Sequence, residues 1–327
     1  MSATVSARNV ATRLAGATRI GLGLAAVGRP GYINLGRAAD LPAGRTVGQL
    51  RARAWELLDA AYAAGVRYVD VARSYGRAEE FLAGWLAARP AAADGVVGSK
   101  WGYTYTAGWR VDAGVHEVKD HGVGTYDRQV GETRALLGDR LDVYQVHSVT
   151  PDSPALTDPE LHDRLGELAA AGVLVGLSTS GPGQAATIRA ALGVTVGGRP
   201  LFRSVQATYH LLEPAAGEAL AEAYAAGCLV IVKEALANGR LAGREPAGAL
   251  DEVAAELGST PDAVALAAVL HRPWVTAALS GAATGDQLAA NLRAPRLELD
   301  AGRLVRLAGL AEPSADYWRF RAELSWS

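Results

Sequence analysis

Short apolar or β-branched runs alternate with longer amphipathic stretches along most of this chain. Apolar residues spaced three and four positions apart predict helices, whereas short continuous apolar runs between them predict buried strands. The predicted strands are Arg19–Val27, Tyr68–Ala72, Gly95–Lys100, Val143–Ser148, Leu174–Thr179, Ser204–Tyr209, Cys228–Ala235 and Thr276–Gly281. The predicted helices are Val47–Gly65, Ala78–Arg89, Tyr126–Leu137, Pro159–Gly172, Gly183–Leu192, Ala215–Gly227, Asp251–Leu270 and Asp286–Ala294.

Strict alternation of strands and helices requires parallel strands joined by crossover helices. Eight such units suit a closed (β/α)₈ barrel, and we expect one barrel domain over residues 1–327. The competing architecture is a doubly wound open sheet. The pair Gly21 and Gly23 is too weak a signal for it, because a dinucleotide fingerprint needs a third glycine and an immediate helix.

Two segments fall outside the repeat. The stretch Trp101–Thr125 is a long, aromatic-rich insertion after the third strand. The tail after Asp300 is expected to add a short helix.

Composition narrows the possible functions. The chain has 32 basic and 34 acidic residues, a net charge of −2, which gives no electrostatic reason to expect nucleic acid or membrane as a partner. Cys228 is the one cysteine, and the six histidines lack metal-binding spacing, so we expect neither disulfides nor a metal. No secretory leader pattern is visible, and a cytoplasmic location is expected.

Polar side chains end nearly every predicted strand. Because the carboxyl ends of barrel strands form the active-site face, these side chains are expected to converge there. They are Asp70, Lys100, His147, Ser178 with Thr179, Gln206, Lys233 with Glu234, and Ser280. Tyr75 follows Asp70 closely enough to return over the same face.

Four of these residues suit proton transfer coupled to hydride transfer. An ammonium at Lys100 would stabilise a phenolate at Tyr75, and Asp70 would keep Lys100 charged. His147 could orient a carbonyl oxygen while Tyr75 gives it a proton. Each residue alone also has a structural interpretation: an Asp–Lys pair, a core histidine and a turn tyrosine are all common.

The context of these residues resembles the aldo-keto reductase superfamily. The stretch from Gly65 to Gly76, followed by Glu79 or Glu80, is similar to the family's first signature. Lys100 matches its catalytic lysine, and Leu141–His147 matches its histidine-bearing strand. The resemblance implies a barrel that binds a nicotinamide cofactor without a Rossmann domain. It also implies roles: Tyr75 as general acid and base, Asp70 and Lys100 tuning it, and His147 positioning substrate.

The resemblance also implies cofactor contacts, with two departures from the family pattern. Thr179 stands where asparagine is usual, and Lys233 replaces an aromatic residue that often stacks on the nicotinamide. Lys233 either contacts the pyrophosphate or extends to the surface. The implied contacts are Gly23, Ser178, Thr179, Gln206, Lys233, Leu236, Ser280, Gly281, Gln287 and Asn291.

The choice of cofactor depends on Gln287. Members selective for NADPH usually carry an arginine at this position, because its fork suits a 2′-phosphate. NADP(H) is favoured from the resemblance, and NAD(H) is the alternative.

Aromatic residues in the loops are candidates for a substrate wall, namely Tyr32, Trp101, Tyr103 and Trp318. The alternative is that these rings anchor the long insertion, whose His116 and His121 are expected to be exposed. The substrate is predicted to be a small carbonyl compound or sugar, with a weaker similarity to bacterial aldose- and galactose-dehydrogenase-like members. Two other functions are open: a cofactor-binding regulatory protein, and a lyase or isomerase that forms a Schiff base at Lys100. The sequence leaves the oligomeric state open.

Overall fold

Eight parallel strands close into a barrel in this computed structural model, which describes residues 10–35, 37–243 and 248–326. Going round the barrel, the strands follow the order β1-β8-β7-β6-β5-β4-β3-β2, and β2 pairs with β1 to close it. This confirms the (β/α)₈ prediction and excludes the open sheet. The strands are β1 (Ile20–Gly23), β2 (Tyr68–Asp70), β3 (Val96–Trp101), β4 (Val143–Val149), β5 (Leu174–Thr179), β6 (Ser204–Thr208), β7 (Leu229–Lys233) and β8 (Ala277–Ser280).

Helices surround the barrel and occupy the connections between strands. They are α1 (Val47–Ala63), α2 (Ala78–Ala88), α3 (Val123–Leu137), α4 (Pro159–Ala170), α5 (Gln184–Leu192), α6 (Gly217–Ala225), α7 (Ala249–Glu256), α8 (Pro261–Leu270), α9 (Gly285–Asn291), α10 (Ala301–Ala308) and α11 (Ser314–Ala322). A four-residue helix, Arg37–Asp40, lies in the loop after β1. Two hairpins lie outside the barrel, Tyr103–Tyr105 with Glu117–Lys119 and Thr195–Val196 with Arg199–Pro200.

One predicted helix, Asp251–Leu270, is two helices. The axes of α7 and α8 differ by 93°. Gly258 takes a left-handed backbone with φ +56, and Pro261 opens α8, so a helix cannot run through this segment. The prediction of one continuous helix is therefore wrong, although the Thr260-Pro261 pair is a recognisable helix start.

Other element limits also differ from the prediction. The strand predicted to run to Val27 ends at Gly23, because the amide nitrogens of Val27 and Gly28 donate to the carbonyl of Leu24 in a turn. The long insertion is ordered by its hairpin, and the tail forms two helices, α10 and α11, instead of one.

The barrel interior changes character along its axis. At the amino ends of the strands it is apolar, lined by residues such as Tyr68, Val96 and Ile231. Toward the carboxyl ends the buried side chains become polar, as at Lys100 and Gln206. Buried polar groups need partners, so this end of the barrel contains a hydrogen-bonded network where an ordinary core would contain Val and Leu.

Across the described ranges, no single helix is long and apolar enough to cross a membrane. The bent pair α7 and α8 passes that test only when both are counted together, by length and composition. Every residue of α8 after Pro261 is buried in the protein.

Candidate active site

Lys100 and Asp70 form a buried ion pair at the carboxyl ends of β3 and β2. The Nζ atom of Lys100 binds Oδ2 of Asp70 and also donates to the carbonyl oxygen of Val71 at 3.0 Å. Lys100 is 0% exposed. Burial lowers the pKa of Lys100, while Asp70 acts in the opposite direction by favouring the charged amine.

Tyr75 lies over this ion pair, in the loop that follows β2. The Nζ atom of Lys100 is 4.8 Å from the centre of the Tyr75 ring. The loop approaches the segment after β1 very closely: a Cβ on Gly28 would lie 2.5 Å from the carbonyl oxygen of Tyr75, and one on Gly76 would lie 2.6 Å from that of Gly28. Glycine is thus required at both positions, and the two backbones hold Tyr75 in place.

His147, near the end of β4, faces the same space. Its ring centre lies 5.5 Å from that of Tyr75, edge to face, and 5.1 Å from that of Tyr103. Burial, together with the nearby charges of Lys100 and Lys233, holds the pKa of His147 well below its usual range. The ring is therefore neutral at neutral pH, and its Nδ1 atom has no hydrogen-bond partner in the protein.

The proton affinity of Tyr75 differs from the simple expectation. Burial is the main cause that raises the pKa of Tyr75 well above 10, and Asp70 adds to the rise. Lys100 was expected to lower this pKa, but the rise caused by burial and by Asp70 is the larger effect. Tyr75 is accordingly a protonated phenol at neutral pH, able to donate.

A hydrogen-bonded layer supports the ion pair from below. Gln206 on β6 donates from Nε2 to Oδ1 of Asp70 at 2.8 Å and to Oε1 of Gln145 at 3.2 Å. Gln145 in turn donates to Ser204. On the outer side, the buried carboxylate of Glu79 accepts from Ser99, the residue before Lys100, at 2.6 Å. The positions of Asp70 and Lys100 are thus fixed by neighbours on several strands.

A cavity of about 370 Å³ opens over these residues, a size typical of small-molecule sites. Asp70, Tyr75 and His147 line it, while Lys100 lies beneath its surface. The candidate cofactor residues that line it are Gly23, Gln206, Lys233, Leu236, Ser280, Gly281, Gln287 and Asn291.

Beyond β8, the cavity is bordered by neutral and acidic side chains. The Nε2 atom of Gln287 donates to Oδ2 of Asp40 at 2.8 Å, and Asp262 also lines this region. Asn291 donates to Ser280 at 2.8 Å, while its buried Oδ1 atom has no partner. A Cβ at Gly281 would meet nothing within 4 Å, so the backbone there is open to the cavity.

Lys233 is held in the cavity wall and does not extend to the surface, so that alternative is wrong. It donates to Oγ1 of Thr208 at 2.8 Å and lies 3.6 Å from Oε1 of Glu234. Burial lowers the pKa of Lys233 to about 8, against the opposing effect of Glu234. Glu234 also binds Arg321 of α11, and the two cations hold its pKa well below the usual range.

Two candidate cofactor residues do not line the cavity. Ser178 is buried and accepts a hydrogen bond from the amide of Ser148 at 2.8 Å. Thr179 is equally buried and donates to Oε1 of Gln184 at 3.3 Å. Both hydroxyls are therefore used inside the protein, and Gln184 was not anticipated.

Of the four candidate substrate residues, Tyr32 lines the cavity and the other three do not. Tyr103 packs against His147 without lining the cavity. Trp101 is fully buried, with its ring centre 5.1 Å from that of Tyr126, and therefore anchors the insertion. Trp318 packs on Tyr317 at 5.4 Å, away from the cavity. The anchoring alternative therefore fits Trp101, whereas Trp318 packs in the core as part of the tail helix α11.

Several residues that line the cavity were not anticipated as site residues, namely Arg29, Glu117, Arg321 and Trp326. They come from loops, the insertion hairpin and the tail. Their signal in the sequence is weak, and consists at most of an arginine within a Gly- and Pro-rich loop, as at Arg29.

The expectation that both insertion histidines are exposed is wrong. His116 stacks on Trp326, with ring centres 4.1 Å apart and an interplanar angle of 3°. His121 is buried between Ser153 and the carbonyl of His147, and burial lowers its pKa to about 4. Within the described part of the chain, no group of three or more His, Cys, Asp or Glu side chains could hold a metal.

The chain is similar to known proteins of one family. A model of the aldo/keto reductase family matches residues 20–312. A Pseudomonas aeruginosa protein assigned to the aldo-keto reductases is 24% identical, with a TM-score of 0.62 over 86% of this chain and 91% of that one. The holo form of the aldo-keto reductase AKR11C1 from Bacillus halodurans is 21% identical, with a TM-score of 0.66 over 90% and 92%. These two likenesses establish the fold. No curated protein matches the chain.

Proposed function

We infer that this chain, which belongs to the aldo/keto reductase family of NAD(P)-dependent oxidoreductases, interconverts a small carbonyl compound and its alcohol. Tyr75 is the general acid and base in this proposal. The observation that carries this proposal is the position of Tyr75. Its ring lies over the buried ammonium of Lys100 and beside a neutral His147, at the mouth of one cavity.

Each side chain has a defined task in this proposal. Tyr75 holds the proton that passes to the substrate oxygen in reduction and takes it back in oxidation. His147, a neutral ring that lines the cavity, orients that oxygen by hydrogen bonding. Lys100 stabilises the phenolate as the proton leaves, and Asp70 keeps Lys100 protonated in its buried position.

A nicotinamide cofactor, when bound, would supply or accept the hydride. The residues present fit such a group. Oε1 of Gln206 and Oδ1 of Asn291 are buried acceptors without a partner, and both residues line the cavity. Open backbone at Gly281 leaves room for a close approach of the ligand. Gln206 would hold the part of the cofactor nearest Tyr75, and Gly281 and Asn291 would hold its other end.

The environment of Gln287 supports NAD(H) over NADP(H). A 2′-phosphate needs positive charge, but Gln287 is bound to Asp40, and Asp262 lies in the same wall. None of the described residues that line this end of the cavity is basic, and the nearby Arg53 is used to hold the carbonyl oxygens of Asp40 and Ala283. Carboxylates are suited to accept hydrogen bonds from a ribose hydroxyl and would repel a phosphate.

The substrate end of the cavity suits a small polar carbonyl compound or sugar. It combines the aromatic faces of Tyr32 and Trp326 with two ion pairs, Arg29 with Glu117 and Arg321 with Glu234. Flat apolar faces pack on the C–H face of a sugar ring, and fixed charged groups bind its hydroxyls.

The lyase alternative is not supported by the state of Lys100. Schiff-base formation needs a neutral amine in contact with substrate. Lys100 is bound to Asp70 and Val71, lies under the cavity surface and has no free approach. The regulatory alternative gives no reason for an assembled Asp70, Tyr75, Lys100 and His147 cluster.

The first experiment is a titration of the protein with NADH and with NADPH, followed by nicotinamide fluorescence, with Tyr75→Phe in parallel. We expect saturable binding that is the same in both proteins, and reduction of a panel of aldehydes, ketones and aldoses by the wild type only. Failure to bind either nucleotide would reject the oxidoreductase proposal. Binding without turnover across the panel would favour the regulatory alternative.

A further inference from the structure

Arg29 is a second buried cation beside Tyr75, and the proton-transfer scheme above does not use it. It is 2% exposed, and its guanidinium carbon lies 5.3 Å from the centre of the Tyr75 ring. The same group donates to the carbonyl of Ser74, the residue before Tyr75, at 2.7 Å. A positively charged group over the ring of a tyrosine favours the phenolate electrostatically.

The carboxylate that pairs with Arg29 is more exposed than the one that pairs with Lys100. Lys100 shares a fully buried contact with Asp70. Arg29 pairs with Glu117 at 2.7 Å, but the Glu117 side chain is 22% exposed, so solvent screens the carboxylate more than the guanidinium. Arg29 is therefore a second positive charge beside the Tyr75 ring, separate from the Lys100–Asp70 pair.

The position of Arg29 is fixed by the fold. Gly28 and Gly76 interlock the two loops, and a Cβ on Gly76 would lie 2.8 Å from the Cβ of Arg29. Tyr32 and Trp326 cover the guanidinium, with ring centres 5.1 and 4.6 Å from its carbon. These rings reduce solvent access and strengthen the electrostatic effect of Arg29 on Tyr75.

We propose that Arg29 is a positioning residue that stabilises the phenolate form of Tyr75. Glu117 weakens this effect, because its negative charge opposes that of Arg29. The proposal rests on the role proposed above for Tyr75 as acid and base. It accounts for how a tyrosine whose phenolate is opposed by burial and by Asp70 can give up its proton during the reaction.

The charged and titratable groups that face Tyr75 come from several elements. Lys100, Asp70 and His147 lie on barrel strands, Arg29 and Tyr32 lie in the loop after β1, and Glu117 lies on the insertion hairpin. Arg29 lowers the pKa of Tyr75, whereas Asp70, Tyr32 and Glu117 raise it. Removing Arg29 and removing Glu117 should therefore act in opposite directions.

The test is the pH dependence of kcat for oxidation of 4-nitrobenzyl alcohol, with reduction of 4-nitrobenzaldehyde as the check of turnover. The oxidation rate rises as Tyr75 becomes a base. We expect Arg29→Met to move this rise about one pH unit higher and Glu117→Gln to move it lower. The double variant should return toward the wild type, and Arg29→Lys, which keeps the charge, should stay close to it.

The matched control is Arg189→Met, which removes an arginine from an exposed pair with Glu222 and should leave the profile unchanged. If Arg29→Met loses all turnover, Glu117→Gln still reports a shift to lower pH, and Arg29→Lys should still keep the wild-type profile. Profiles that coincide in all variants would overturn the role of Arg29 while leaving the proposed function intact. A wild type without turnover on either compound or on the wider carbonyl panel would overturn both.

Discussion

Gln206 reaches across the barrel to Asp70, donating from Nε2 to Oδ1 at 2.8 Å. The two residues lie on β6 and β2, which are opposite one another in the closed strand order. Asp70 thus receives one hydrogen bond from the far side of the barrel while its other oxygen binds Lys100. The carboxylate that supports the proposed proton transfer is held by two partners that are distant in sequence.

Replacing Gln206 by Leu should weaken the fold. The change leaves a buried oxygen of Asp70 without a partner, at a cost of about 1–3 kcal/mol. The measurement is the free energy of unfolding in urea. Gln206→Glu should be more damaging, because it puts a second carboxylate beside Asp70. Equal stability of the wild type and the Leu variant would mean that water or a rearranged side chain replaces the bond.

Replacing Lys100 by Met should destabilise the protein by about 3–5 kcal/mol, because it leaves the buried Asp70 charge uncompensated. The double variant with Asp70→Asn should recover part of this loss. Lys119→Met is the control, because Lys119 is exposed on the insertion hairpin. Urea unfolding of the wild type, Lys100→Met, Asp70→Asn, the double variant and Lys119→Met measures the coupling. Additive losses at positions 70 and 100 would contradict a close ion pair.

The fold could be predicted from the sequence because each strand and helix is encoded locally. The alternation of buried runs such as Leu174–Thr179 with amphipathic stretches suffices to count the units. The break between α7 and α8 was missed because the apolar spacing continues across Gly258. The turn there depends on the left-handed backbone of Gly258, which the spacing of apolar residues does not show. The periodicity of apolar residues indicates which side chains are buried, but it does not show where the helix axis changes direction.

The candidate site was predictable only where strands supply it. Asp70, Lys100 and His147 end strands, and the barrel brings strand ends together. Arg29 and Glu117 are 88 residues apart in the chain and meet through a loop and a hairpin whose packing has no local signature. Thr179 shows the converse: it ends a strand, but its hydroxyl is taken by Gln184 and does not line the cavity.

Replacing Tyr75 by Phe should lower kcat by about 10²–10⁴ and leave nicotinamide binding unchanged. The ring and its contacts with Lys100 and His147 remain, while the transferable proton is lost. Steady-state kinetics on an aldehyde that the wild type reduces, together with fluorescence titration, separates these effects. Tyr103→Phe is the control, because that ring also packs on His147 but does not line the cavity. Equal losses in both variants would argue against a specific role for Tyr75.

Cofactor preference should change when charge is altered at Gln287. The double variant Gln287→Arg with Asp40→Asn removes a carboxylate and adds a guanidinium where Gln287 now contacts Asp40. We expect NADPH affinity to rise about tenfold or more, since a charge-assisted bond is worth about 1.5–3 kcal/mol. Asp286→Asn, an exposed neighbour on α9, controls for a general change in charge. Wild-type binding that already favours NADPH strongly would contradict our inference from Asp40.

Lys233 should give the stability of the protein a characteristic dependence on pH. Its pKa is lowered by burial from 10.5 to about 8 in the folded protein. Between these values the unfolded chain binds more protons than the folded one, so this lysine makes stability rise with pH. Below pH 8 the amine is protonated in both states, and the cost of burying its charge is fully present. Above pH 10.5 that cost is gone.

The measurement is the free energy of unfolding of the wild type and of Lys233→Met from pH 7 to 10.5. Subtracting the variant isolates the contribution of Lys233, and the difference should shift in favour of the wild type as pH rises above 8. Thr208→Val is a useful companion, because it removes the hydroxyl that accepts from Lys233 but keeps the charge. Its curve should keep the slope of the wild type. A difference that is flat with pH would mean that Lys233 reaches solvent and is not buried against Glu234.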